Sequence, residues 1–166
     1  MTDLSQALLL IDLQNGVCFN NGKIDHLDRL ISQVNAKIEK YTAKNKPIIF
    51  VQHIDEDLVE GTYEWKIIPE LKTEYGTNFV TKRHANSFFE TSLQDVLIEN
   101  KIQTFEICGA QTEYCIDATV KFAHGLGYNV LMEKGLTSTF DNPFMTAEKT
   151  IQFYEGIWQE RFLLLD

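Results

Sequence analysis

Short apolar runs alternate along the chain with longer stretches in which apolar residues recur every three or four positions. ALLLID (7–12) is almost unbroken hydrophobicity ending in an acid. In HLDRLISQVNAKIEKYTAK (26–44), Leu27, Leu30, Ile31, Val34 and Ile38 keep the three-and-four spacing of an amphipathic helix. KPIIFVQH (46–53) is β-branched and aromatic, with Pro47 at its start, where a strand tolerates proline. The same reading predicts strands at NFVTKRH (78–84), TFEICGA (104–110), YNVLME (128–133) and, at an edge, RFLLL (161–165). Helices are predicted at 87–101, 113–127 and 146–158.

Strands separated by helices imply right-handed crossovers and a mostly parallel sheet covered on both faces, an α/β fold. The unbroken apolar character of 7–11 and 47–51 suits strands buried on both sides. Functional groups in such folds gather beyond the carboxyl ends of the strands. Asp12, His53, Lys82 and the segment GAQTEYC (109–115) stand at those ends.

Composition narrows the picture. A chain of 166 residues with three prolines, nine glycines and no repeat fits a single domain spanning 1–166. The net charge of −9 repels polyanions, so no nucleic-acid partner is expected. No apolar run approaches the roughly 20 residues of a membrane span. MTDLSQ lacks the basic and apolar regions of a secretory leader, and three cysteines make no disulfide framework, so a cytoplasmic protein with free thiols is expected.

Cys115 has two readings. Near the start of the 113–127 helix, with Thr112 as its cap, unpaired N–H groups would favour a thiolate. Cys115 also borders the apolar face formed by Ile116, Val120 and Ala123, where it would pack as a small hydrophobe. Cys108 reads as core. His124, nine residues beyond Cys115, lies half a turn round the helix and cannot activate it. His53 and His84, near strand ends, remain open. Asp12 is either a turn residue or a desolvated base, and Lys82 either a solvated edge residue or its partner. His53 and Asp55 alone fall short of the three or four ligands zinc requires, so no metal and no cofactor are expected.

ALLLIDLQNGV (7–17), WKIIPEL (65–71), VTKRHANSFFETSL (80–93) and CGAQTEYCIDATVKFAHGLGYNV (108–130) together resemble the isochorismatase-like cysteine hydrolases, the nicotinamidase-related amidohydrolases. The resemblance implies a three-layer α/β/α sandwich on a six-stranded, Rossmann-like sheet, a homo-oligomer (dimer or larger) and a small-molecule substrate. It places a catalytic triad on Asp12, Lys82 and Cys115, with a cis peptide between Ala110 and Gln111 and an oxyanion hole from the backbone N–H groups of Gln111 and Cys115. Nicotinamidases of this group carry an Asp and two His as metal ligands. VQHIDED (51–57) inverts that order and residues 58–72 supply no histidine. Gln14, Phe19, His53, Trp65 and Phe88 are the pocket candidates. The expected activity is hydrolysis of an amide or carbamoyl C–N bond through a thioester; the competing expectation is a binding or oligomerisation protein with a redox-sensing Cys115.

Overall fold

A computed structural model describes residues 4–166. Residues 1–3, the first half of the MTDLSQ segment tested for a leader, lie outside it. The central sheet runs through β1 (Ala7–Ile11), β2 (Ile48–His53), β3 (Asn78–Lys82), β4 (Thr104–Ala110), β5 (Asn129–Met132) and β7 (Leu164–Leu165). Their order is β3-β2-β1-β4-β5-β7, and β6 (Thr137–Ser138) continues the β4 edge beyond β5. Every pairing is parallel. The expected six strands become seven through β6, a two-residue piece, while the predicted edge strand RFLLL shortens to β7.

Alternation along the strands divides the core into two layers. Leu9, Ile11, Ile49, Val51, Phe105 and Ile107 point to one face. There they meet α3 (Leu93–Glu99), α4 (Asp117–Gly125) and α5 (Ala147–Trp158) through Leu97, Val120, Ala123 and Trp158. Leu8, Leu10, Ile48, Phe50 and Cys108 point the other way, onto α2 (Leu27–Ala43). Leu27, Leu30, Val34 and Ile38 of α2 are buried, as its spacing predicts, and so is Tyr41, while Ile31 is only half-buried. Thr146 caps α5, accepting from Lys149 N–H.

Three local expectations are corrected. The predicted 87–101 helix shortens to α3, because Asn86 Oδ1 and Thr91 Oγ1 take the N–H groups of Phe88 and Leu93. Such local side-chain bonds offer the backbone an alternative to helix. The helix expected from 113 opens with a π turn over Thr112–Ile116, closed by Ile116 N–H donating to Gln111 O at 3.3 Å. Thr112 does not cap it; its hydroxyl bonds Thr137 Oγ1 at 2.9 Å and anchors the turn to β6. A single helical turn, α1 (Asn15–Cys18), follows β1.

The chain leaves β1 for β2 and β3 on one side, then returns to form β4 on the other. Strand order therefore reverses between β1 and β4, and a crevice opens at their carboxyl ends. Asp12 follows β1, and Gln111 with the π turn follows β4, so both flank that crevice.

Candidate active site

Asp12 is the first residue past β1, with φ of 52° and its N–H donating to Val51 O at 2.9 Å. Aspartate tolerates this left-handed geometry better than most residues. The turn carries the chain out of the sheet while Asp12 stays buried, only 2% exposed. Across from it, Gly109 has φ of 132°, and a Cβ there would meet Ile11 O at 2.1 Å. Only glycine lets β4 approach β1 this closely beside Asp12. The following peptide, Ala110–Gln111, is cis.

Lys82 ends β3, two strands from β1. Adjacent strands lie about 4.8 Å apart, so only a long side chain spans the distance. Its ammonium is fully buried and lies 2.9 Å from Asp12 Oδ2 and 3.1 Å from Cys115 Sγ. It also lies 2.8 Å from His53 Nδ1 and 3.1 Å from His84 O. Asp12 Oδ1 is buried and has no hydrogen-bond partner. The π turn holds Cys115, half-buried, over this group.

The electrostatics differ from an activated thiolate. Burial and the Asp12 carboxylate push the Cys115 thiol up to about 12, against the pull of Lys82. One ammonium balances one anion, and Asp12 already supplies it. Burial, followed by the charge of Lys82, lowers the His53 imidazole below its ordinary value of 6.5. Burial also raises both other thiols, Cys18 to about 12 and Cys108 higher still.

A cavity of about 220 Å³ opens on this cluster, its wall including Asp12, His53, Gln111 and Cys115. Of the predicted pocket residues His53 lines it, and the other four do not. Gln14 is wholly buried and structural: its side chain bonds His53 N–H and His53 O at 2.8 and 2.9 Å and Trp65 O at 2.8 Å. Trp65 presents that carbonyl, and its half-buried ring stands outside the wall. Phe88 packs in the core, its ring centroid 5.7 Å from that of Tyr128. Phe19 is 41% exposed beyond α1. The sequence reading missed Val17, Asn20, Asp57, Leu58, Tyr114 and Phe140, which do line the cavity. They come from loops and from the single turns of α1 and the π segment, all too short to show periodicity, so no pattern marked them.

Donor atoms of Asp12, His53 and Cys115 lie within 4.8 Å of one another, a spacing a metal ion could bridge. The Lys82 ammonium contacts all three. The cation of this cluster is thus a lysine, and the residues present do not fit the metal centre found in nicotinamidases.

A parallel α/β sandwich with an acid, a lysine and a cysteine meeting at its switch point has the layout of a cysteine hydrolase. The chain belongs to the isochorismatase family of hydrolases, whose isochorismatase domain matches residues 6–150. The crystal structure of an isochorismatase family protein superposes with a TM-score of 0.93 at 44% identity, covering 96% of each chain. The secreted isochorismatase effector Isc1 of Verticillium dahliae is 26% identical over 150 residues, 88% of this chain and 79% of that one. Over a shorter stretch of 77 residues, 46% of this chain and 34% of the other, the ureidoacrylate amidohydrolase RutB of Agrobacterium fabrum is 30% identical.

Proposed function

We propose that the protein hydrolyses the C–N bond of a small amide or carbamoyl compound through a thioester on Cys115. One observation carries this reading: a single buried ammonium touches both Asp12 and Cys115 at the floor of a cavity. Free cysteine and free aspartate differ by about 4.6 pKa units, so thiol-to-carboxylate transfer costs roughly 6 kcal/mol in water. Here Lys82 lies 2.9 Å from one partner and 3.1 Å from the other, so it stabilises the negative charge on either. Moving the proton between them adds no net charge to the buried site.

In the first half-reaction the Cys115 proton passes to Asp12 Oδ1, the acceptor without another partner. Sulfur bonds to the substrate carbonyl carbon, and the oxyanion lies against the backbone N–H groups of Gln111 and Cys115. Asp12 returns the proton to the leaving nitrogen as the C–N bond breaks. In the second half-reaction Asp12 takes a proton from water, whose oxygen attacks the thioester. The C–S bond breaks and the sulfur recovers its proton.

The cavity wall carries Asp12, Asp55 and Asp57 but no lysine or arginine. Lys82 is buried beneath it and already paired. This favours neutral or cationic amides over carboxylate-bearing ones. The redox-sensing alternative lacks a comparable observation, since a thiol pushed up to about 12 is a poor target for peroxide.

The test is ammonia or amine release from a panel of small amides and ureido compounds. Cys115→Ala and Asp12→Asn should each abolish turnover while thermal melting stays cooperative. Retention of more than a few per cent of activity by either folded variant overturns the thioester reading.

A further inference from the structure

The sheet register sets His53 of β2 directly opposite Lys82 of β3. On its way to Asp12 the lysine side chain therefore passes the His53 ring. An ammonium has three hydrogens and no lone pair. Lys82 Nζ nevertheless faces four acceptors, and the shortest contact, 2.8 Å, is to His53 Nδ1. Because Nζ can only donate, Nδ1 must carry the lone pair, which puts the ring proton on Nε2. Asp55 Oδ2 lies 3.3 Å from Nε2, placed to receive it. Asp55 is itself held by a turn in which Oδ1 accepts from the N–H groups of Asp57 and Leu58. The His53 backbone is fixed at both polar atoms by Gln14. Tautomer, ring plane and backbone are thus all determined, and the outcome is one lone pair aimed at Lys82.

We propose that His53 is a positioning residue which holds the Lys82 ammonium midway between Asp12 and Cys115, and so sets the ease of thiol proton transfer. The inference deepens the hydrolase reading. Without the Nδ1 acceptor the ammonium relaxes toward Asp12, the one anion it touches, and withdraws from the sulfur. A thiol deprived of that contact is harder to ionise. Protonating His53 has the same effect, because an Nδ1–H would then confront the ammonium. The charged and titratable groups facing the ring are Lys82 from β3, Asp12 beyond β1, Asp55 beyond β2 and His84 beyond β3. Burial and Lys82 both favour the neutral ring.

The test needs no substrate. Modification of Cys115 by methyl methanethiosulfonate is followed by peptide mass mapping between pH 5 and pH 9, in wild type, His53→Phe and His53→Asn. Phenylalanine keeps a flat ring without an acceptor; asparagine restores an acceptor near the Nδ1 position. His53→Phe is expected to slow modification about tenfold, the factor one hydrogen bond to a charged group is worth. His53→Asn should recover most of that loss. Wild type should show an acid step below pH 6.5 that His53→Asn lacks. Equal rates in wild type and His53→Phe overturn the proposal, as does equal impairment of both variants, which would mean the ring merely packs. If Cys115 responds as expected but no amide is turned over, the hydrolase reading fails while the positioning role stands.

Discussion

Asp12→Asn should make Cys115 more reactive towards an alkylating reagent while destroying turnover. A thiol pushed up to about 12 is ionised at pH 8 in about one molecule in ten thousand, against about one in four for a free cysteine. Thiolate fraction alone makes alkylation ~2,500-fold slower. Nucleophilicity rises with pKa at a Brønsted slope of about 0.4–0.5, which returns a factor of ~30–50 over the difference. Iodoacetamide should therefore label native Cys115 roughly 50-fold more slowly than a free cysteine at pH 8. Replacing Asp12 by a neutral isostere removes the carboxylate's repulsion of the thiolate, which acts across no more than 4.8 Å, and leaves the pull of Lys82 unopposed. At an effective dielectric of about 20 that repulsion is worth ~3.5 kcal/mol, or about 2.5 pKa units. Even half of it, after the reduced nucleophilicity is subtracted, quickens labelling about fivefold. The assay is iodoacetamide labelling with peptide mapping, on protein shown by near-ultraviolet circular dichroism to be folded. Rapid labelling of wild-type Cys115 below pH 8, or slower labelling in Asp12→Asn, would refute the one-anion account of the site.

Gly109→Ala forces a Cβ against the Ile11 carbonyl, a backbone atom that cannot move aside. Its melting temperature should fall by on the order of 10 °C; a change within about 2 °C would mean β1 and β4 can separate. Lys37 pairs with the buried Glu106 at 2.6 Å, so Lys37→Met should cost roughly 3–5 kcal/mol in urea unfolding, partly recovered by adding Glu106→Gln. His53, held neutral, binds its proton less readily in the folded than in the unfolded chain. The native state should therefore lose stability as pH falls through 6.5 towards the lowered value, and His53→Asn should flatten that limb of the melting curve. Amides with a cationic substituent should be turned over in preference to carboxylate-bearing analogues, by a ratio that shrinks in high salt; the reverse preference would remove Asp55 and Asp57 from substrate recognition.

The strand–helix alternation was legible because parallel strands and amphipathic helices write burial directly into sequence. TFEICGA matches β4 residue for residue, and the spacing of Leu27 through Ile38 marked the buried face of α2. Two-residue strands such as β6 have no periodicity to read; only pairing to Gly109 and Ala110 defines it. Strand ends could be named in advance, which is how Asp12, His53, Lys82 and Cys115 came to attention. Apolar residues could not be sorted between pocket and core, since both require hydrophobicity. Phe88 joined the core and Phe140 the cavity on tertiary grounds alone. The state of the thiol was also hidden. Helix position suggested ionisation, whereas burial and the charge already present on Asp12 oppose it.

The π turn over Thr112–Ile116 gives the chain a phase adjustment. One extra residue in a turn rotates the residues before it by about 100° relative to those after it. That offset lets the same continuous helix satisfy two angular demands at once. Cys115 points to the Asp12–Lys82 pair, while Val120 and Ala123 further along stay seated on the sheet. Deleting a single residue inside the turn would regularise the helix, yet force a choice between the two orientations. The segment is thus indexed like a gear tooth: a substitution within it leaves the phase of the helix unchanged, but a change in its count does not.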